Sequence, residues 1–319
     1  MDYAIEARDI SKHYGRRHPR LALDRISLSV GEGQLFGLIG PDGAGKTTML
    51  RILSTVMEPS SGQARVAGFD TRKNAEKSRP LIGYMPQAFS LYPDLSVIEN
   101  LNFFADINGV PHARRDERIV QLLEFARLDR FQQRRSALLS GGMRKKLALA
   151  CALVHDPKVL LLDEPTTGVD PLSRRELWEI LAQVVLQGVT VLISTPYMDE
   201  AERCHQVAML HQGELLSRGS PADLARNLPF EVIEVKARPR KAMRAIVEQA
   251  DGVADWRPVG DRLRLSVQKG NGNGNAKRIL KNLQSQFKRQ NVDVQLLRPS
   301  KISMEDVFVY LVGQQRGNH

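Results

Sequence analysis

The chain begins with apolar and polar positions alternating at the period of a strand. Ala4-Ile5-Glu6-Ala7-Arg8 and residues 21–30 read as half-buried strands. Gln34-Leu35-Phe36-Gly37-Leu38-Ile39 is an apolar run reaching a glycine, as expected of a strand covered on both faces. The period then lengthens. A helix is predicted from Thr47 to about Met57, and residues 96–153 read as mainly helical. Within them, residues 116–128 place Ile119, Leu122, Leu123 and Phe125 on one side, and Ser140 is a suitable N-cap for the helix that follows. Strand runs return at Val159-Leu160-Leu161-Leu162 and Val189-Thr190-Val191-Leu192-Ile193, with a helix at 172–186 between them. This alternation predicts an α/β fold with a mostly parallel sheet and crossover helices.

A boundary falls near Asn227-Leu228-Pro229. The expected order beyond it is strand 231–237, helix 240–249, strands 254–258 and 262–267, helix 276–290, strand 292–297 and helix 303–311. That order describes a small ferredoxin-like α+β unit with one added helix. Residues 269–275, Lys-Gly-Asn-Gly-Asn-Gly-Asn, read as a low-complexity turn.

Composition narrows the class. With 319 residues, 42% apolar and 26% charged, the chain suits one large or two modest globular domains and not a disordered one. No run approaches the roughly 20 apolar residues that span a bilayer. Met1-Asp2-Tyr3-Ala4-Ile5-Glu6 lacks the basic-then-apolar pattern of a secretory signal. Cys151 and Cys204 belong to no metal-spaced cluster and suit a reducing compartment. The expectation is a cytosolic protein that reaches a membrane only through a partner. Residues 1–229 hold 29 Lys+Arg against 27 Asp+Glu, and residues 230–319 hold 17 against 9, so most of the formal +10 lies at the end. Such a surface can face acidic headgroups or nucleic acid, or simply stay solvated.

Gly40-Pro41-Asp42-Gly43-Ala44-Gly45-Lys46-Thr47-Thr48 follows a strand and opens a helix with the G-x-x-x-x-G-K-[ST] spacing of a P-loop. Glycines let backbone N–H groups turn inward around phosphate oxygens, and the helix N-terminus adds partial positive charge. Lys46 would reach the β and γ phosphates, and the Thr47 hydroxyl would ligate Mg²⁺. Four apolar residues then carry Asp163 and Glu164 to the C-terminal end of a second strand. There Asp163 would hold the Mg²⁺ shell, through water, and Glu164 would act as general base on the attacking water. Together they predict a nucleoside triphosphatase.

Leu139-Ser140-Gly141-Gly142-Met143, about twenty residues before the acidic strand end, resembles the signature motif of the ATP-binding-cassette family. Tyr14 resembles that family's adenine-stacking aromatic, Gln87 its Q-loop glutamine, and Gly168-Val169-Asp170 its D-loop. The resemblance covers roughly residues 4–225. It implies a P-loop NTPase cassette, residues 1–229, made of a RecA-like core, an antiparallel β subdomain and a helical subdomain at about 88–155. Residues 230–319 would be a basic accessory domain. It also implies ATP and Mg²⁺ as cofactors, with Gln87 as a further Mg²⁺ ligand. Two cassettes would pair head to tail, so that Ser140, Gly141 and Gly142 grip the partner's ATP in trans. The implied partners are permease subunits in the membrane and a second cassette, identical or not; no nucleic acid is expected. The implied place is the cytoplasmic face of a bacterial inner membrane.

Two positions depart from the family pattern. Met143 stands where the signature usually has Gln, outside the serine and glycines that make the contact. Pro196 stands where Ser-Thr-His is the usual switch order, in Ser194-Thr195-Pro196. Proline offers neither a ring N–H nor a backbone N–H. Either this site hydrolyses slowly beside a partner that retains a histidine, or the replacement is compensated locally. Tandem multidrug-export ATPases of the ABC-2 permease type show a similar proline, and Pro299-Ser300-Lys301-Ile302-Ser303-Met304-Glu305-Asp306-Val307-Phe308 resembles the C-terminal segment of drug-export ATPases. The reading is an exporter ATPase subunit. Rival readings are a soluble cassette acting on ribosomes or nucleic acid, and an ATP-gated regulator without turnover.

Overall fold

The computed structural model describes residues 3–15, 20–88, 91–269 and 275–317. Met1, Asp2 and the glycine–asparagine turn at 270–274 lie outside them. The chain forms two compact units. One runs to Pro221 and takes in the residues from Leu311 onward; the other is Ala222–Tyr310.

In the first unit, β1 (Tyr3–Tyr14) and β2 (Arg20–Gly31) pair antiparallel with one face buried. β3 (Leu35–Ile39) is buried at every position and leads to α1 (Lys46–Leu53). β4 (Ser61–Val66) and β5 (Phe69–Asp70) complete an antiparallel sheet of order β2-β1-β4-β5. Beyond α2 (Ala75–Ser78) and β6 (Ile82–Met85) come three helices: α3 (Val97–Ile107), α4 (His112–Phe125) and α5 (Gly141–Leu153). β7 (Val159–Asp163), α6 (Pro171–Leu186), β8 (Thr190–Thr195), α7 (Met198–Ala201), β9 (Gln206–His211) and β10 (Glu214–Gly219) follow. The second sheet has the order β10-β9-β3-β8-β7-β6, parallel except at the β10 edge.

One core joins the two sheets. Ile5, Ile10 and Ile26 from the antiparallel sheet pack with Leu38, Leu161 and Leu192 from the parallel one, and α1 adds Leu50 and Leu53. Two local readings change. α1 stops at Leu53, four residues before the expected end, because Thr55 takes φ +62 and the apolar Val56 that prolonged the pattern faces solvent. Phe125, at the last position of α4, is only half-buried, whereas Ile119, Leu122 and Leu123 are buried as expected. Among the described residues no helix is long and apolar enough to cross a membrane.

The second unit holds most of α8 (Pro221–Arg226), then β11 (Phe230–Arg238), α9 (Arg240–Glu248), β12 (Val253–Val259), β13 (Arg262–Gln268), α10 (Asn275–Arg289), β14 (Asp293–Ser300) and the start of α11 (Met304–Gly317). Its antiparallel sheet, β12-β13-β11-β14, has the ferredoxin-like strand order. α9 and α10 bury Met243, Ile246, Ile279, Leu283 and Phe287 with Ile233, Val235 and Leu265 of the sheet. Their outer sides expose Arg240, Lys241, Arg244, Lys277, Arg278, Lys281, Lys288 and Arg289, which places the C-terminal charge on one layer.

Arginines bind the sheet to α11. Arg264 bridges Glu234 at 2.8 Å and Asp306 at 2.7 Å, and Arg257 reaches Asp306 at 2.7 Å. Burial alone would raise the Asp306 carboxyl. The Ser303 N–H and the Arg264 and Arg257 guanidiniums outweigh it and hold the group below the ordinary aspartate value of 3.8. A depressed folded pKa gives stability that is complete above the ordinary value and drains away as pH falls through the lower one. Asp306→Asn is expected to lower the unfolding temperature of this unit at pH 7. The gap to the parent chain should close as pH falls below the ordinary aspartate value and through the lower folded one, followed by thermal circular dichroism.

Candidate functional site

β3 delivers the chain to Gly40, whose N–H donates to the Thr195 carbonyl at 3.3 Å. A Cβ on Gly40 would lie 2.2 Å from the Leu210 carbonyl oxygen, so the loop can start only where β9 leaves no room for a side chain. Gly45, at φ +106, has Ala22 O and Leu23 Cδ2 each 2.6 Å from where a Cβ would stand. It caps α1 without a side-chain hydrogen bond, leaving first-turn N–H groups available to an anion.

Lys46 Nζ donates to the carbonyls of Gly40 at 2.8 Å and Pro41 at 3.1 Å, and pairs with Glu164 Oε1 at 3.3 Å. Both side chains are almost fully buried, at 3% and 6% exposure. Thr47 Oγ1 donates to Asp163 Oδ1 at 3.1 Å, and Ser194 Oγ donates to the same oxygen at 2.6 Å. Asp163 Oδ2 is buried with no hydrogen-bond partner among the described residues. Glu164 itself sits at φ +49, a conformation non-glycine residues rarely adopt. Its N–H is held by the Ser194 hydroxyl at 3.0 Å and the Ser194 carbonyl at 3.2 Å. Gln87 Nε2 and Thr167 Oγ1 donate to Glu164 Oε2 at 2.9 and 3.3 Å.

This donor set fits a magnesium–phosphate group. An unfilled carboxylate oxygen beside a threonine hydroxyl is what a hydrated divalent cation needs, and the ammonium and helix N-terminus suit phosphate oxygens. A cleft of about 640 Å³ is lined by Tyr14, residues 42–48, Gln87 and Glu164.

Tyr14 ends β1 at the rim of this cleft. Its hydroxyl is shared with Thr48 Oγ1 at 3.2 Å and donates to Met57 Sδ at 3.2 Å, while the ring is partly exposed. Ser140 and Gly141 do not line the cleft. Ser140 caps α5 by accepting the Met143 N–H at 3.2 Å and faces solvent. Gly142 is buried where a Cβ would come within 2.3 Å of Ser173. Its lack of a side chain therefore has a packing reason within this chain. Gly168 and Asp170 are exposed, and Asp170 caps α6 through the Leu172 and Ser173 N–H groups. Half-buried Pro196 follows directly on β8.

The sequence reading missed two buried groups here. Lys145 Nζ donates to the carbonyls of Glu164 at 3.3 Å and Gln87 at 3.4 Å. Burial pulls its ammonium below the usual lysine value, and the Glu164 and Asp163 charges pull it back. Glu200, buried in α7, collects donors from three segments. Only its place in an otherwise solvated-looking Asp199-Glu200-Ala201-Glu202 run hid it.

The fold and this cleft define a P-loop nucleotide-binding cassette. The family model described as ABC transporter matches residues 23–167. The probable multidrug ABC transporter ATP-binding protein YbhF of Escherichia coli (strain K12) is 42% identical over 272 residues, 84% of this chain and 46% of that protein. The chain thus spans about half the length of that relative. Nod factor export ATP-binding protein I of Paraburkholderia xenovorans (strain LB400) is 36% identical over 327 residues, 98% of both chains. Among solved structures, the dimeric post-hydrolysis state of the ATP-binding cassette MJ0796 bound to ADP and Pi superposes with a TM-score of 0.63 at 27% identity, over 68% of this chain and 98% of that one. The chain belongs to the ATP-binding proteins of the ABC transporter family.

Gly45→Ala is expected to lower the unfolding temperature more than Gly43→Ala. Both positions have positive φ, but the Gly43 Cβ would enter open space while the Gly45 Cβ would strike Ala22 and Leu23. Differential scanning fluorimetry of the two variants checks this.

Proposed function

We propose that the chain is the ATP-hydrolysing subunit of an exporter, docked on membrane permease subunits at the cytoplasmic face of a bacterial inner membrane. One observation carries the ATPase reading: a buried ammonium, Lys46, and two buried carboxylates, Asp163 and Glu164, meet at the end of β3 and β7 with one carboxylate oxygen unfilled. Export rests on the resemblance of Pro196 and residues 299–308 to drug-export ATPases and on the names of the relatives. Cargo lies with subunits outside this chain.

The P-loop, residues 40–48, would hold the triphosphate, and Tyr14 would stack on adenine. Thr47, Gln87 and, through water, Asp163 would hold Mg²⁺, which screens phosphate charge. In the present geometry Glu164 Oε1 is paired with the Lys46 ammonium, and Oε2 accepts a hydrogen bond from Gln87. Phosphate oxygens competing for Lys46 would free Glu164 Oε1 to accept a proton from water, so the base becomes available when substrate arrives. Ser140, Gly141 and Gly142 are not part of this cleft's lining, and exposed Ser140 supports their use on a second cassette's ATP. The first unit would act as the cassette, which the sequence reading bounds at residue 229 and the compact units bound at Pro221, and Ala222–Tyr310 would be the basic accessory domain.

Pro196 leaves the switch position without a donor toward the γ-phosphate. The chain would then bind ATP yet turn over slowly, and would work beside a cassette that retains histidine. Pro196→His is expected to raise turnover of the purified chain substantially, up to about 10²-fold if the missing contact is specific to the transition state. Equal turnover in both forms at a fast rate would show local compensation instead. Glu164→Gln is expected to abolish turnover while MgATP binding persists, and to trap ATP-paired cassettes visible by sedimentation velocity. Loss of binding in that variant would contradict the assigned role.

A further inference from the structure

The switch segment has lost its donor, yet its anchorage is elaborate. Glu200 is 1% exposed and its carboxylate takes four donors. Thr195 Oγ1, immediately before Pro196, donates at 2.6 Å, and Thr166 Oγ1, in the turn after Glu164, at 3.1 Å. From α6 come Arg174 Nε at 2.6 Å and Trp178 Nε1 at 3.3 Å. Arg174 also lies over the Tyr197 ring, 4.6 Å from its centroid, and reaches Asp199 at 3.3 Å. Thr195 in turn accepts the Tyr197 N–H on its hydroxyl at 3.1 Å and the Gly40 N–H on its carbonyl. A buried carboxylate is costly unless so satisfied, and here the satisfaction comes from three segments: the end of β8, the turn after Glu164 and α6.

We infer that Glu200 is a positioning residue, holding the Thr195–Tyr197 segment, the Thr166 turn and the start of α6 as one piece independent of the side chain at 196. The inference rests on the ATPase reading for its kinetic consequence, but its mechanical content does not. The anchoring groups are Thr195, Thr166, Arg174 and Trp178, and none belongs to residue 196. Restoring histidine there would therefore place a ring on a scaffold already built, and the benefit of Pro196→His would depend on Glu200.

The test uses the full chain with Glu200→Ala and, as an isosteric alternative, Glu200→Gln. In nucleotide-free protein, hydrogen exchange at the Thr167, Val169 and Tyr197 amides is expected to quicken about tenfold or more in Glu200→Ala while β3 amides stay unchanged. In turnover, kcat is expected to fall about tenfold with KM for ATP within about threefold, Glu200→Gln intermediate, and the gain from Pro196→His lost in the double variant. Unchanged exchange at those three amides overturns the inference. So does a uniform rise that includes β3, with kcat and ATP affinity falling together, which would make Glu200 a packing residue. If Glu200→Ala does not fold, the same amides in Glu200→Gln decide. If the parent chain fails to bind ATP, the ATPase reading falls while the exchange result still stands or fails alone.

Discussion

Everything in the first unit converges on a pair of opposite charges kept out of water. Lys46 and Glu164 stand 3.3 Å apart with almost no exposure, beside a second buried carboxylate, Asp163. Such a cluster is poor material for stability, since desolvation offsets most of the Coulomb gain. It makes sense as a site held in readiness for a ligand that brings both negative oxygens and a cation. The two carboxylates then need not repel one another unopposed, and the ammonium has a stronger partner to turn to.

The fold serves that cluster by fixing backbone before side chains. Parallel pairing of β3 with β8 and of β8 with β7 brings the strand ends that carry Gly40, Thr195 and Asp163 to one edge. Ser194 ties Asp163 and the Glu164 N–H together from the strand between them. Gly40 and Gly45 are held by neighbours at less than van der Waals distance from any added carbon. The loop's shape is thus imposed from outside, by β9 and β2, as much as by its own residues.

Much of this was legible from residue order. The apolar runs at 35–39 and 159–162 are short and unbroken because both faces are covered, and both became central strands. Lys46, Thr47, Gln87, Asp163 and Glu164 come together as their motifs implied, since each motif marks the end of one parallel strand or the start of one helix. The Ser140 segment is not part of the cleft's lining. What stayed hidden was tertiary. Lys145 and Glu200 are charged residues within helices, a pattern that reads as solvated surface, and only packing shows them buried. Val56 misled in the opposite direction, an apolar residue left in water beyond a left-handed turn.

The claim that carries the rest is that Lys46 and Asp163 together receive a magnesium-bound triphosphate. Calorimetric titration of the chain with ATP, in the presence of magnesium and of a chelator, and repeated with Asp163→Asn, measures it directly. One site per chain is expected with magnesium, and a marked loss of affinity on chelation or in Asp163→Asn. Saturable binding indifferent to both, or no heat in any condition, would contradict it.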